Sequence, residues 1–170
     1  MLLSPVIAVA AVFICLETQG SPIFVQSRVG RGGRAFQLYK LRSMVSDASA
    51  QGSYITGRAD VRVTKVGRWL RATSLDELPQ LWNVFKGDMS LVGPRPDVPQ
   101  QQANYTEDEW RIRTSVLPGI TGLAQATLRS EASPEERKRL DLEYCRRRSL
   151  RLDCLIIVLT VRQMWSKGSY

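Results

Sequence analysis

The 170-residue chain contains no histidine. That absence excludes Ser-His-Asp and Cys-His catalysis, the His-Glu-x-x-His zinc site and every imidazole ligand. Any acid, base or nucleophile must be a carboxylate, Lys, Tyr, Ser or Cys. Cysteine is scarce: Cys15, Cys145 and Cys154 are odd in number and lack Cys-x-x-Cys spacing. Neither a disulfide framework nor a zinc site is expected, and the thiols read as small core residues in a reducing, cytosolic-side environment. No uncharged apolar run reaches the roughly 18 residues of a simple membrane-spanning helix. The Gly30–Gly33 stretch is neither a G-x-G-x-x-G nor a Walker A sequence, so it is not read as a nucleotide loop. Internal repeats and low-complexity tracts are missing.

What is present is ordinary globular composition, 44% apolar and 24% charged, with 24 basic against 16 acidic residues and a net charge of +8. The length favours one domain with a core that needs no covalent staples. The charge surplus predicts an anionic partner: nucleic acid, lipid headgroups or a phosphorylated substrate. No RNA-binding or zinc-finger signature accompanies it, which disfavours nucleic acid.

Residues Met1–Leu16 are nearly all apolar, interrupted by Ser4 and Pro5. As a helix they are too short for a hydrocarbon core of about 30 Å. They read either as a buried core helix or as a segment that dips into the bilayer, with Pro5 kinking or starting it. Ile23–Gln26 and Phe36–Tyr39 are β-prone runs around a Gly/Arg turn, which predicts a short hairpin. Val45–Asp60 reads as a loop. Helices are expected at Val66–Leu70, Leu75–Phe85, Thr106–Val116, Pro134–Arg148 and Leu152–Trp165, with a rigid proline-bracketed loop at Val92–Pro96. Helical spacing places Trp69 and Trp82 in the core. The fold class expected is a helix-rich α/β single domain with a short β-hairpin and an N-terminal re-entrant or membrane-embedded helix.

Several side chains carry chemistry. Ser74-Leu75-Asp76-Glu77 fits a capping box, with Ser74 as cap and Glu77 returning the bond. The same residues fit an ionised carboxylate pair near Arg68 and Arg71, able to hold a divalent metal or attack phosphorus. Arg95 sits between two prolines, so its guanidinium is presented from stiff backbone and suits phosphate. Lys40 and Arg42 alternate with Leu41 and share a face. Arg146–Arg148 with Arg151 form a basic run between two helices that suits anionic headgroups or simple solvation.

Taken in order, these motifs resemble the bacterial sugar transferase family, the monotopic phosphoglycosyl transferases. The residues that carry the resemblance are Ser21-Pro22-Ile23-Phe24, Gln26-x-Arg28-x-Gly30, Tyr39-Lys40-Leu41-Arg42-Ser43-Met44 and Ser74 through Val84. Lys86-Gly87-Asp88-Met89-Ser90, Val92-Gly93-Pro94-Arg95-Pro96 and Pro118-Gly119-Ile120-Thr121-Gly122 complete the set. The resemblance runs from about Ser4 to about Gln163. It implies transfer of sugar-1-phosphate from a UDP-sugar to undecaprenyl phosphate with release of UMP. That is the first membrane step of polysaccharide or glycoconjugate synthesis, as in exopolysaccharide or lipopolysaccharide pathways. It further implies Asp76 as the nucleophile of a covalent phosphosugar-aspartyl intermediate and Glu77 as its dyad partner. Mg²⁺ is implied at Asp76 and Glu77, and phosphate contacts at Lys40, Arg71, Arg95 and Arg129.

The Ser4-Pro5 pair matches the break of a re-entrant helix. Residues 1–19 are then a membrane-associated helix, short or truncated, and residues 20–170 a catalytic domain on the cytoplasmic face of the bacterial inner membrane. Leu117 stands where many members of that family carry Lys or Arg, so one phosphate contact is either lost or supplied by Arg111 or Arg113. The apolar N-terminus and the amphipathic C-terminal helix both permit a homodimer. The competing expectation is a catalytically silent basic membrane-surface module of the same fold.

Overall fold

The computed structural model describes residues 4–48, 60–128 and 133–166. They fall into two compact units, each discontinuous in sequence. The first takes the residues up to Val25 and Tyr39–Pro79; the second takes Gln26–Leu38 and the described residues from Gln80 onward.

In the first unit, α1 (Ser4–Glu17) is 14 residues long. Pro5 lies in the first described turn of α1. At about 1.5 Å per residue α1 is shorter than a hydrocarbon core, and no described helix is long and apolar enough to cross a membrane. The expected hairpin is present: β1 (Ile23–Val29) pairs with β2 (Ala35–Leu41). Its turn, Arg31–Gly33, is left-handed at Gly32 and Gly33, with φ of 68° and 76°, which explains the glycines there. After β2, Met44 bridges to Val63, and Asp60 ties to Arg62. Most of the Val45–Asp60 loop lies outside the described residues.

Helix α2 (Lys65–Ala72) follows, longer than the expected Val66–Leu70. The unit's core is Ala10, Ile14, Leu41 and Leu70, with Ile7, Ile23, Val66 and Leu75 packed around it. Leu41 and Leu70 have no exposed surface. Each contributes about 1.5–3 kcal/mol by leaving water.

The second unit contains α3 (Gln80–Lys86), β3 (Ser90–Val92), α4 (Glu107–Arg113), β4 (Gly119–Thr121), α5 (Leu123–Thr127), α6 (Pro134–Arg147) and α7 (Leu150–Ser166). Strands β3 and β4 pair in parallel, Ser90 with Gly119 and Val92 with Thr121. This brings the Val-Gly-Pro-Arg-Pro and Pro-Gly-Ile-Thr-Gly motifs side by side. A Cβ on Gly119 would sit 2.1 Å from Gly93 N, so only glycine lets the two backbones meet. Val92, Val116, Ala126, Tyr144, Cys145 and Ile156 form the core. Thr106 and Ser133 cap α4 and α6 with Glu109 and Glu136 as reciprocal partners.

Two expectations are corrected. The helix expected over Leu75–Phe85 is broken. A 3-10 turn covers Leu75–Glu77 and α3 begins only at Gln80. Pro79 explains the break, because in a continuous helix its ring would strike the Leu75 carbonyl. Trp69 and Trp82 are not core residues; each is 56% exposed. Helix α3 buries its polar side, Gln80 and Asn83, and exposes Leu81, Trp82 and Phe85, with Trp82 and Phe85 stacked at 5.4 Å. Asn83 is buried for a stated reason: its Nδ2 donates to Gln37 O at 2.7 Å, and its own carbonyl accepts from Met89 N.

Candidate functional site

The Asp-Glu pair is set by a strained turn. Ser74 is the sole non-glycine with positive φ among the described residues (φ 56°, ψ 18°). Its side chain makes no cap bond, so the capping box expected there is absent. A left-handed serine costs on the order of 1–2 kcal/mol, which the packing of Leu75 into the first unit's core offsets. With about three residues per turn, successive side chains of a 3-10 helix diverge by roughly 120°. Asp76 is accordingly buried, at 6% exposure, while Glu77 is half-buried. Helix α2 packs on this turn. Arg71, in its last turn, accepts the Ser74 N–H on its carbonyl at 3.2 Å.

Arg71 Nε donates to Ser43 Oγ at 2.8 Å. Lys40, half-buried on β2, lies over the Phe24 ring. Thus Lys40, Arg71, Asp76 and Glu77 all belong to the first unit. Arg42, expected to share a face with Lys40, is taken up by structural bonds. It is buried, and its guanidinium donates to Gln19 O at 2.7 Å, Thr18 O at 2.8 Å and Thr18 Oγ1 at 2.9 Å, closing the chain beyond α1. Glu17 completes the tie. Its two oxygens accept Lys65 N at 2.7 Å and Val66 N at 2.9 Å, while Thr64 Oγ1 takes Gly67 N. Three orphan donors at the start of α2 are satisfied by these two side chains. Burial pushes the Glu17 carboxyl up, but the Val66 and Lys65 N–H groups, with Thr64 and the Lys65 charge, leave it below its ordinary range.

Arg95 lies in the second unit and its side chain is exposed. Its backbone is held more firmly than the two prolines alone require. Arg113 Nη2 donates to Arg95 O at 2.8 Å, Arg28 Nη1 to Pro96 O at 2.8 Å and Gly119 N to Pro94 O at 3.0 Å. Burial, then the Arg95 charge, lowers the Arg28 guanidinium to about 10, against the pull of Asp97. Arg113 is buried between Asp97 and Asp141 in a double ion pair. It is therefore a structural cation, not the substitute for Leu117 that the sequence offered, and the exposed Arg111 pairs with Asp108. Beside the loop is a cavity of about 20 Å³ lined by Arg95, Arg113 and Pro118 among others. It holds about one water and is too small for a sugar. Arg129 lies outside the described residues.

Among the described residues no cluster of three Asp, Glu, Cys or His side chains forms. Mg²⁺ does not need one, since it binds through one or two carboxylates together with substrate phosphates. Asp76 and Glu77 supply carboxylate oxygens, the donor type that such an ion takes. Sequence reasoning missed Glu17 and the bonds of Ser43 and Arg42, although the last two stand in the Tyr39–Met44 motif. The partners of Ser43, Arg42 and Glu17 lie 28, 23–24 and 48–49 residues away, beyond any local pattern.

Outside the site, exposed apolar side chains concentrate on helices. On α1 they are Val6, Val9, Val12, Phe13 and Leu16; on α7 they are Leu150, Leu155, Val158, Val161 and Met164. The basic run Arg146, Arg147, Arg148 and Arg151 is exposed, with Arg147 paired to Glu143.

Comparison with known proteins gives this arrangement a family. Over 180 residues the chain is 43% identical to an undecaprenyl-phosphate glucose phosphotransferase of Komagataeibacter xylinus, covering 99% of this chain and 34% of that protein. It is 44% identical over 167 residues to a UDP-glucose:undecaprenyl-phosphate glucose-1-phosphate transferase of Caulobacter vibrioides, covering 94% and 62% of the two chains. It is 40% identical over 167 residues to a UDP-N-acetylgalactosamine-undecaprenyl-phosphate N-acetylgalactosaminephosphotransferase of Aeromonas hydrophila, covering 95% and 39%. The chain thus spans between a third and two thirds of the length of these relatives. The bacterial sugar transferase family model matches residues 1–167, which include the Ser74–Glu77 turn and both glycine-bearing strands, and the chain belongs to that family.

Proposed function

We propose that this chain transfers sugar-1-phosphate from a UDP-sugar to undecaprenyl phosphate, releasing UMP, at the cytoplasmic face of the bacterial inner membrane. The observation that carries the reading is the Ser74–Glu77 turn, where a strained serine sets a buried carboxylate beside a half-buried one, next to the helix that bears Arg71. The names of the relatives support the donor and acceptor classes.

In this scheme an Asp76 carboxylate oxygen attacks the phosphorus that bears the sugar. A P–O bond to Asp76 forms, the bond to the UMP oxygen breaks, and UMP departs with the electron pair. An oxygen of undecaprenyl phosphate then attacks the same phosphorus and the acyl-phosphate P–O bond breaks, which restores the carboxylate. Glu77 supports the dyad, Lys40 and Arg71 hold phosphate oxygens, and Arg95 is proposed separately as a phosphate contact. Positioning and charge stabilisation suffice for such a transfer, so the lack of histidine is no obstacle. Asp76 and Glu77 would hold Mg²⁺, which would neutralise charge on the diphosphate when bound. The exposed apolar side of α1 fits immersion in lipid without crossing it, and the exposed Trp82–Phe85 pair and α7 fit the headgroup region.

UMP release from a panel of UDP-sugars, with undecaprenyl phosphate, Mg²⁺ and detergent, tests the proposal. Lipid-dependent release that disappears in Asp76→Asn supports it. Release that persists in Asp76→Asn removes the nucleophile assignment. No release from any donor favours the silent membrane-surface module.

A further inference from the structure

We infer that Ser43 is a positioning residue for the transfer: it fixes the plane of the Arg71 guanidinium and so aims its outer N–H groups at substrate phosphate. The inference rests on the reaction proposed above. Ser43 is 4% exposed and engages α2 at both ends. At the start of the helix its carbonyl accepts the N–H of the cap residue Thr64 at 3.2 Å. In the middle, a Cβ on Gly67 would lie 2.0 Å from the same carbonyl, so the helix rests directly on the Ser43 backbone. In the last turn the Ser43 hydroxyl accepts from Arg71 Nε at 2.8 Å.

A guanidinium is a rigid planar fork whose five N–H directions follow from one another. Holding Nε therefore orients both Nη groups, while leaving them pointed away from Ser43. Lysine in place of arginine has no Nε–H and gains nothing from the serine. Arg71 carries its carbonyl to the Ser74 N–H, so the same helix end that Ser43 orients leads directly into the Asp76 turn.

The test is a double-mutant cycle on UMP release, using whichever UDP-sugar the wild type turns over, with Ser43→Ala, Arg71→Lys and the pair. Ser43→Ala is expected to lower kcat/KM about tenfold, in line with loss of a hydrogen bond to a charged group, with the melting temperature unchanged. In the Arg71→Lys background, Ser43→Ala should have no further effect. If Ser43→Ala proves unstable, Ser43→Cys takes its place in the same cycle, since the thiol keeps the volume and weakens the acceptor. An active wild type with an unimpaired Ser43→Ala, or with losses that multiply in the double variant, overturns the positioning role alone. A wild type that releases no UMP from any donor overturns the reaction itself, and the positioning role falls with it.

Discussion

Replacing Gly67 by alanine sets two effects of opposite sign against each other. Within an exposed helix the change is stabilising by roughly 0.5–1 kcal/mol, because glycine has more backbone freedom to lose. Here the new Cβ would stand 2.0 Å from Ser43 O, 2.7 Å from Ser43 C and 2.8 Å from Ser43 Cα. All three are backbone atoms, so no side chain can swing away. Reaching an ordinary 3.4 Å contact from 2.0 Å requires about 1.4 Å of movement between α2 and the end of β2. Overpacking of this kind costs about 1–3 kcal/mol, and immobile backbone puts it at the upper end. The net expectation is a loss of about 2–2.5 kcal/mol, or roughly 4–10 °C in melting temperature for a chain of this size.

The same displacement would break the 2.8 Å contact between Arg71 Nε and Ser43 Oγ. A misplacement of about 1 Å is enough to cost on the order of a hundredfold in rate. Thermal melting by circular dichroism and UMP-release kinetics on one preparation read both effects. A Gly67→Ala protein that melts higher than wild type and turns over normally would refute the reasoning. It would mean that helix propensity prevails and that α2 does not rest on Ser43.

Other expectations follow from the same geometry. The Glu17 carboxyl lies below its ordinary value, so its stabilisation is complete above an unfolded value of about 4.3 and fades as pH falls through the lowered folded value. For so exposed a group it amounts to under about 1 kcal/mol, and Glu17→Gln should flatten the acid limb of a stability–pH curve measured by urea titration. Arg113→Met strands Asp97 and Asp141 in the second unit and should cost about 3–5 kcal/mol in urea unfolding. Adding Asp97→Asn and Asp141→Asn to it should recover much of that loss. Arg95→Ala should raise KM for the UDP-sugar; unaltered kinetics would make the side chain dispensable to the reaction. A chelator should stop UMP release and added Mg²⁺ restore it, whereas metal-independent turnover would remove the ion from the scheme.

Much of the architecture was legible because its causes are local. The hairpin is announced by β-prone runs around a glycine turn, and α4 and α6 begin where Thr106 and Ser133 supply caps. Strands β3 and β4 were not legible: each is three residues long, and their parallel pairing joins segments far apart in sequence. Periodicity misled at α3. It reports an apolar face but not where that face goes, and here Trp82 and Phe85 face outward while Gln80 and Asn83 are buried, Asn83 with a bond to distant backbone. At the site, the carboxylates and arginines were visible as residue types. The strained Ser74 was read as a cap because its spacing to Glu77 suits one, although Pro79 forbids the helix that such a cap would begin. Ser43, Arg42 and Glu17 owe their roles to tertiary contacts; the Tyr39–Met44 motif marks the first two without showing their partners, and nothing in the sequence marks Glu17.

The most direct test of the account is a single-turnover experiment without lipid acceptor. The protein, Mg²⁺ and a UDP-sugar donor are mixed, released UMP is counted, and the intact mass is measured. The account predicts about one UMP per active chain, a mass increase of one sugar phosphate, and a peptide map that places it on Asp76. UMP that appears only after undecaprenyl phosphate is added, with no adduct at any time, would contradict it and point to direct transfer between the two substrates.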